Sequence, residues 1–266
     1  MKRYKFAQPL VVLILAFSLI TLACNAAAGL PNPFATSTPT FTPTFTPSPM
    51  PSPTPTATLI PTPPPLGTTK IEQSDGTTLF TDYDNKYDVV FPKGWVVTGL
   101  NSDDLNSLLQ LTSKNNPDLE QMITLLKSMD PKVFRIFAFD FQPDHMVNGF
   151  TTNVNIVVEN NSIVNAMTLQ ELVDATAQEL PQVVKNIKIT SSKVTETASN
   201  IPIGLIETNM SVNTVTGDKI PVYEQVIIFK FSLTSIQITL STPVSMQQKI
   251  LPSFEQIIDS VKILGN

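Results

Sequence analysis

Apolar positions are distributed along this chain in three different ways. Residues 10–22 form one apolar run. Residues 31–65 carry almost no pattern. From residue 70 onward, apolar positions recur with the periods of strands and helices. Residues 77–83 and 86–91 read as two strands separated by Asp84-Asn85, a turn signal. Pro92-Lys93-Gly94 breaks the chain before Trp95-Val96-Val97 resumes it. Ser102-Asp103-Asp104 caps a helix carrying Leu105, Leu108, Leu109 and Leu111. Asn116-Pro117-Asp118 opens a second, with Leu119, Met122, Ile123 and Leu126 on one face. Residues 132–141 are a strand that is apolar on both sides. Phe137, Phe139 and Phe141 point one way, and Phe134, Ile136 and Ala138 the other.

The second half continues in the same manner. Val154, Ile156 and Val158 mark a strand. Thr168 and Glu171 form a capping box before Leu169, Leu172, Val173 and Leu180. Strands follow at 187–195, 201–212 and 220–229, the last two joined by Thr216-Gly217-Asp218. Ile236, Ile238 and Leu240 mark another strand. A final helix at 244–260, bent or restarted at Pro252, precedes a short strand at 261–264. Strands joined by hairpin turns argue for an antiparallel sheet over a parallel βαβ one. A strand that is apolar on both sides needs cover on both faces. The expected fold is α+β: an antiparallel sheet flanked by helices on both faces, an α/β/α sandwich.

The N-terminal run belongs to a different kind of segment. Lys2, Arg3 and Lys5 precede it and small residues follow it, the three-part pattern of a signal peptide over 1–23. Ile20-Thr21-Leu22-Ala23-Cys24 resembles a bacterial lipobox. That resemblance implies cleavage before Cys24, acylation of its thiol, and a lipidated N-terminus over 24–30. Thr21 stands where leucine is commonest in such motifs. Two other readings share these residues: a short transmembrane anchor over 6–23, and ordinary cleavage after the Ala26-Ala27-Ala28 site. Cys24 is the chain's single cysteine, so an internal disulfide or a cysteine-based zinc site is ruled out.

Residues 31–69 form a linker. In 31–65, 26 of 35 residues are Pro, Thr or Ser. Proline fixes its own φ and drives the preceding residue toward extended backbone, so neither a helix nor a central strand can form there. In polyproline II geometry the run would reach on the order of 100 Å. It reads as a spacer. Recognition by proline-binding domains and sugars on Thr and Ser are the alternatives.

Charge bounds the partners. No Asp, Glu, Lys or Arg occurs between residues 6 and 69, and residues 70–266 hold 14 basic against 22 acidic residues, net −8. That balance excludes nucleic acid and argues against anionic lipid as a direct ligand of the domain. The expected partners are a membrane, through acyl groups on Cys24, and a protein or envelope component. The expected place is the extracytoplasmic side of a cell membrane.

Three segments of the 70–266 domain resemble the PsbP/Mog1-like family. Residues 87–95, Tyr-Asp-Val-Val-Phe-Pro-Lys-Gly-Trp, match its opening strand and corner, here Phe91, Pro92, Gly94 and Trp95. Residues 224–243 resemble its long hairpin, and residues 253–263 its last helix and strand. Residues 102–130 look like an insertion. The resemblance implies an antiparallel sheet between helices. It also implies an accessory or binding role, since family members include photosystem subunits, a small-GTPase partner and bacterial lipoproteins. It carries over no catalytic motif. In physical terms Gly94 permits the turn and Trp95 anchors a core.

The residues themselves show no nucleotide loop, serine elbow, His-Glu-x-x-His or EF-hand loop. Asp82, Asp84 and Asp88 near the first turn lack the glycine of a calcium loop and read as a solvated turn. Asp140, Asp144 and His145, the chain's one histidine, could hold a divalent ion or supply a base, against the plainer reading of an exposed loop. No catalytic residue or cofactor is assigned. The expected function is a tethered, non-enzymatic accessory or binding module. The alternatives are a hydrolytic or metal-assisted enzyme centred on Asp140, Asp144 and His145, or a small-molecule carrier with an apolar pocket.

Overall fold

The computed structural model describes residues 66–99, 129–148, 150–184, 186–213, 219–231 and 234–264. The signal segment, Cys24, the Pro/Thr-rich linker to residue 65 and both helices expected within 102–130 lie outside the described residues. Thirteen strands and three α-helices are described. The strands are β1 (Thr68–Glu72), β2 (Thr78–Asp82), β3 (Tyr87–Phe91), β4 (Trp95–Thr98), β5 (Phe134–Asp140), β6 (Met146–Val147) and β7 (Phe150–Thr151). They continue as β8 (Asn153–Glu159), β9 (Lys188–Glu196), β10 (Pro202–Asn213), β11 (Lys219–Phe231), β12 (Thr234–Pro243) and β13 (Lys262–Ile263). The helices are α1 (Ser162–Ala166), α2 (Leu169–Val183) and α3 (Gln247–Asp259).

The strands form two main sheets rather than the single one expected. A four-stranded sheet has the order β1-β2-β3-β13, and a seven-stranded sheet the order β4-β5-β8-β12-β11-β10-β9. Strands β6 and β7 form a separate ribbon. Every pairing is antiparallel. Strand β1 begins at Thr68, two residues before the expected start of the domain, and its polar, exposed sequence gave no strand signal.

Period-two alternation puts one set of side chains on each face of the large sheet. On β11, Val226 and Ile228 pack with Leu172, Val173 and Leu180 of α2. Ile227 and Phe229 point the other way and pack with Ile250, Phe254 and Ile257 of α3. The small sheet joins the α3 side through Phe80, Tyr87, Val89 and Phe91. The result is α+β, with antiparallel sheet between helices. Helix α2 starts as expected: Thr168 Oγ1 accepts from Glu171 N at 3.2 Å, and Glu171 Oε2 accepts from Thr168 N at 2.7 Å. Helix α3 is continuous through Pro252, so of the expected alternatives, a bend or a restart, the restart does not occur; a 3-10 turn at Val244–Met246 precedes it.

Strand β5 departs from simple alternation. A register shift lies between Phe134 and Ile136, so Arg135 is an extra residue opposite β8. The shift moves Phe134 onto the face of Phe137, where the two rings stack with centroids 6.4 Å apart. The expected grouping of Phe134 with Ile136 and Ala138 is therefore corrected. Phe137, Phe139 and Phe141 continue the stack as expected, at 6.5 and 5.7 Å.

Candidate functional site at the sheet-to-sheet corner

The corner at Phe91, Pro92, Gly94 and Trp95 is where the chain leaves the small sheet and enters the large one. Gly94 has φ +88°, a conformation costly for any residue with a Cβ. The turn closes with Trp95 N donating to Pro92 O at 3.3 Å. Trp95 is buried, and its ring meets that of Phe254 on α3 edge-on, centroids 6.4 Å apart. The corner thus locks β4 to α3.

Across the β4–β5 ladder Trp95 is the register partner of Asp140, so the corner and the Asp140 cluster form one neighbourhood. Asp140 is 1% exposed. Its Oδ1 accepts from Gln142 N at 3.1 Å, and its Oδ2 accepts from His145 Nδ1 at 2.5 Å. A 3-10 turn at Pro143–His145 brings the imidazole back over the carboxylate, closed by His145 N donating to Gln142 O at 2.9 Å. His145 Nε2 lies 3.9 Å from Asp144 Oδ2. Asp144 in turn pairs with Lys249 in the first turn of α3. The hydrogen bond from Lys249 holds the exposed Asp144 carboxyl below its ordinary pKa.

The structure therefore brings together all three residues singled out for chemistry, and adds Lys249. It also gives them tasks within the fold: they fasten the β5–β6 connection to α3. His145 is largely covered, not part of an open loop, with 12% of its side chain exposed. Among the described residues, no group of three His, Cys, Asp or Glu is disposed to hold a metal ion. What the cluster can do chemically is orient an imidazole. With Nδ1 turned to Asp140, Nε2 is the nitrogen directed toward Asp144.

The other carboxylate cluster corrects the solvated-turn reading. Asp82 is fully buried and takes two hydrogen bonds from Arg135, from Nε at 2.7 Å and Nη2 at 3.0 Å. Asp84 accepts from Arg135 Nη2 at 3.0 Å and from Gly67 N at 2.8 Å, which lowers its pKa, the backbone amide more than the guanidinium. Arginine inside an otherwise apolar strand was the available signal for this pair. Glu224, on the interior strand β11, was also missed. Burial pushes its carboxyl up to about 7, partly offset by the Ser241 hydroxyl that donates to it at 2.8 Å.

Two cavities bear on the carrier reading. One of about 440 Å³ is lined by Leu169, Ile201, Pro202, Lys230 and Phe231 at the start of α2. A second, of about 310 Å³, lies between α3 and strands β9, β10 and β11.

No protein-family model matches the chain, and a search of curated proteins finds no match. Solved structures do resemble it in fold. The cyanobacterial PsbP protein CyanoP from Synechocystis superposes with TM-score 0.45 at 12% identity, over 72% of this chain and 94% of its own. LpqN of Mycobacterium tuberculosis, involved in cell envelope biogenesis, gives 0.40 at 8% identity, over 74% and 91%. The Ran-binding protein Mog1p of Saccharomyces cerevisiae gives 0.40 at 10% identity, over 75% and 97%. CyanoP and Mog1p bear the two names of the family whose corner and hairpin the sequence resembles. At such scores the likeness is one of architecture and supplies no argument about function.

Proposed function

We propose that this chain is a lipid-tethered extracytoplasmic binding module, held through Cys24 and carried away from the membrane by its Pro/Thr-rich linker. The observation that carries the binding half is the commitment of the candidate site's charged groups. Asp140 holds His145, and Asp144 holds Lys249, so the cluster's ionic capacity is used to join β5 to α3. The tether rests on the signal pattern, the lone Cys24 and the charge-free stretch to residue 69. The test uses the full chain in a bacterial membrane. Wild type partitions with the membrane, and Cys24→Ala releases it to the soluble fraction. Full retention of Cys24→Ala sinks the tether. Photocrosslinking of the membrane-held protein captures a discrete partner, and capture survives His145→Gln. A wild type that crosslinks to nothing sinks the binding role.

One observation favours a second reading, that of a base-catalysed hydrolase. A buried carboxylate at 2.5 Å from Nδ1 is the arrangement that orients a histidine to take a proton at Nε2. Hydrolysis of nitrophenyl esters or phosphates that falls about a hundredfold in His145→Gln would establish it. Equal rates in the two proteins dismiss it.

A further inference from the structure

The cavity of about 310 Å³ between α3 and the end of the large sheet has an apolar floor and an acidic rim. Ile203 and Leu205 of β10, Ile227 of β11 and Ile258 of α3 make the floor. The floor exists because α3 covers this sheet face only in part. Ile203 and Ile227 are buried beneath it, while Leu205 and Gln225 stay partly open. Glu196 at the end of β9, with Glu255 and Asp259 of α3, stands around the opening, all three exposed. Among the described residues, no lysine, arginine or histidine lines it. Asp259 Oδ1 accepts from Ala198 N at 2.9 Å, which ties α3 to the β9–β10 turn and keeps the rim in place.

We infer that this groove docks an extended segment of a partner protein in which lysine or arginine flanks an apolar side chain. The apolar side chain covers the Ile203, Leu205, Ile227 and Ile258 floor, and the cations face Glu196, Glu255 and Asp259. Charge complementarity selects this occupant. Three carboxylates converge on one opening in a domain of net −8, so an acidic or phosphorylated segment is repelled there. The volume suits one or two side chains, which matches a short segment rather than a whole lipid or a folded surface. The groove lies against α3 at the β9 end of the sheet, at the opposite edge from β4. Its use therefore does not compete with the Asp140–His145 cluster. This inference rests on the binding-module reading and names the chemistry of the partner.

The test is fluorescence anisotropy of the full chain with a labelled peptide of alternating lysine and leucine. A peptide with glutamate for lysine is the control. The lysine peptide binds, weakens steeply as salt rises, and loses about tenfold in affinity to the double variant Glu196→Lys, Glu255→Lys. Both positions are exposed, so the fold persists, and an unchanged circular dichroism spectrum verifies it. Leu205→Gln, on the partly open floor, weakens the peptide with no change in salt dependence. Equal binding of the two peptides overturns the inference, as does a double variant with wild-type affinity. If crosslinking still captures a partner through the double variant, the groove alone is wrong and the binding role stands.

Discussion

Arg135, the extra residue of the β5 bulge, reaches from the large sheet to the small one and grips Asp82 through two hydrogen bonds of 2.7 and 3.0 Å. Its Nη1 also donates to Pro131 O at 2.7 Å, so most of its donors are used. Both side chains are shielded, at 7% and 0% exposure. Removing Asp82 leaves the shielded guanidinium with only the half-exposed Asp84 as counter-ion. Asp82→Ala should cost about 3–5 kcal/mol of stability. Replacing both, as Asp82→Leu with Arg135→Met, should recover much of the loss. Urea unfolding of the three proteins measures this, and equal midpoints for the single and double variants would contradict it. Asp84→Ala, at a side chain 44% exposed, should cost under about 1 kcal/mol.

Glu224 makes stability depend on pH in the direction opposite to most paired carboxylates. Its folded pKa of about 7 lies above the ordinary 4.5. Between these values the unfolded chain has lost its proton while the folded one keeps it. Stability is therefore full below about pH 4.5 with respect to this group, and falls as pH rises through 7. The difference above pH 7 is about 3 kcal/mol. Glu224→Gln, which keeps an acceptor for Ser241, should flatten this limb and be the more stable protein at pH 8. Thermal melts from pH 5 to 8 decide it.

Gly204 sets the distance between α2 and the sheet. A Cβ built there would lie 2.3 Å from Val173 Cγ2, a contact that cannot exist without movement. Gly204→Ala should destabilise by about 1–3 kcal/mol, and Val173→Ala added to it should restore part of the loss. Additive effects in the double variant, read by denaturation, would refute the close approach.

Asp140 and Asp144 should separate cleanly. Asp140→Ala leaves partly buried donors at Gln142 N and His145 Nδ1 unmatched, at a cost of about 1–3 kcal/mol. Asp144→Ala, at an exposed side chain, should leave the unfolding midpoint near that of wild type. The Asp140 change should also alter the His145 imidazole NMR signals, and the Asp144 change much less. A midpoint shift of similar size in both variants would show the cluster acting as a surface network.

Much of this was legible locally. The Thr168–Glu171 capping box, the turn at Gly94 and the alternation of β11 and β12 each depend on neighbours in sequence. The bulge at Arg135 was not legible. An arginine among phenylalanines states that a counter-charge exists, but the counter-charge lies 53 residues away in another sheet. Asp140 and His145, five residues apart, were grouped from sequence but read chiefly as an exposed loop, whereas Lys249 entered from 105 residues away.

The sequence alone determined the presence of alternating strands, and it set the expectations of a signal pattern before Cys24, a proline-threonine linker and a partner other than nucleic acid. These follow from composition, from proline's fixed φ and from side-chain period. Tertiary structure decided that the strands divide into two sheets, that Phe91 to Trp95 is the passage between them, and that Asp82 is buried. It also decided that Glu196, Glu255 and Asp259 share one groove. Those facts depend on which distant strands pair and which faces meet, and pairing is fixed by burial of the whole apolar surface at once.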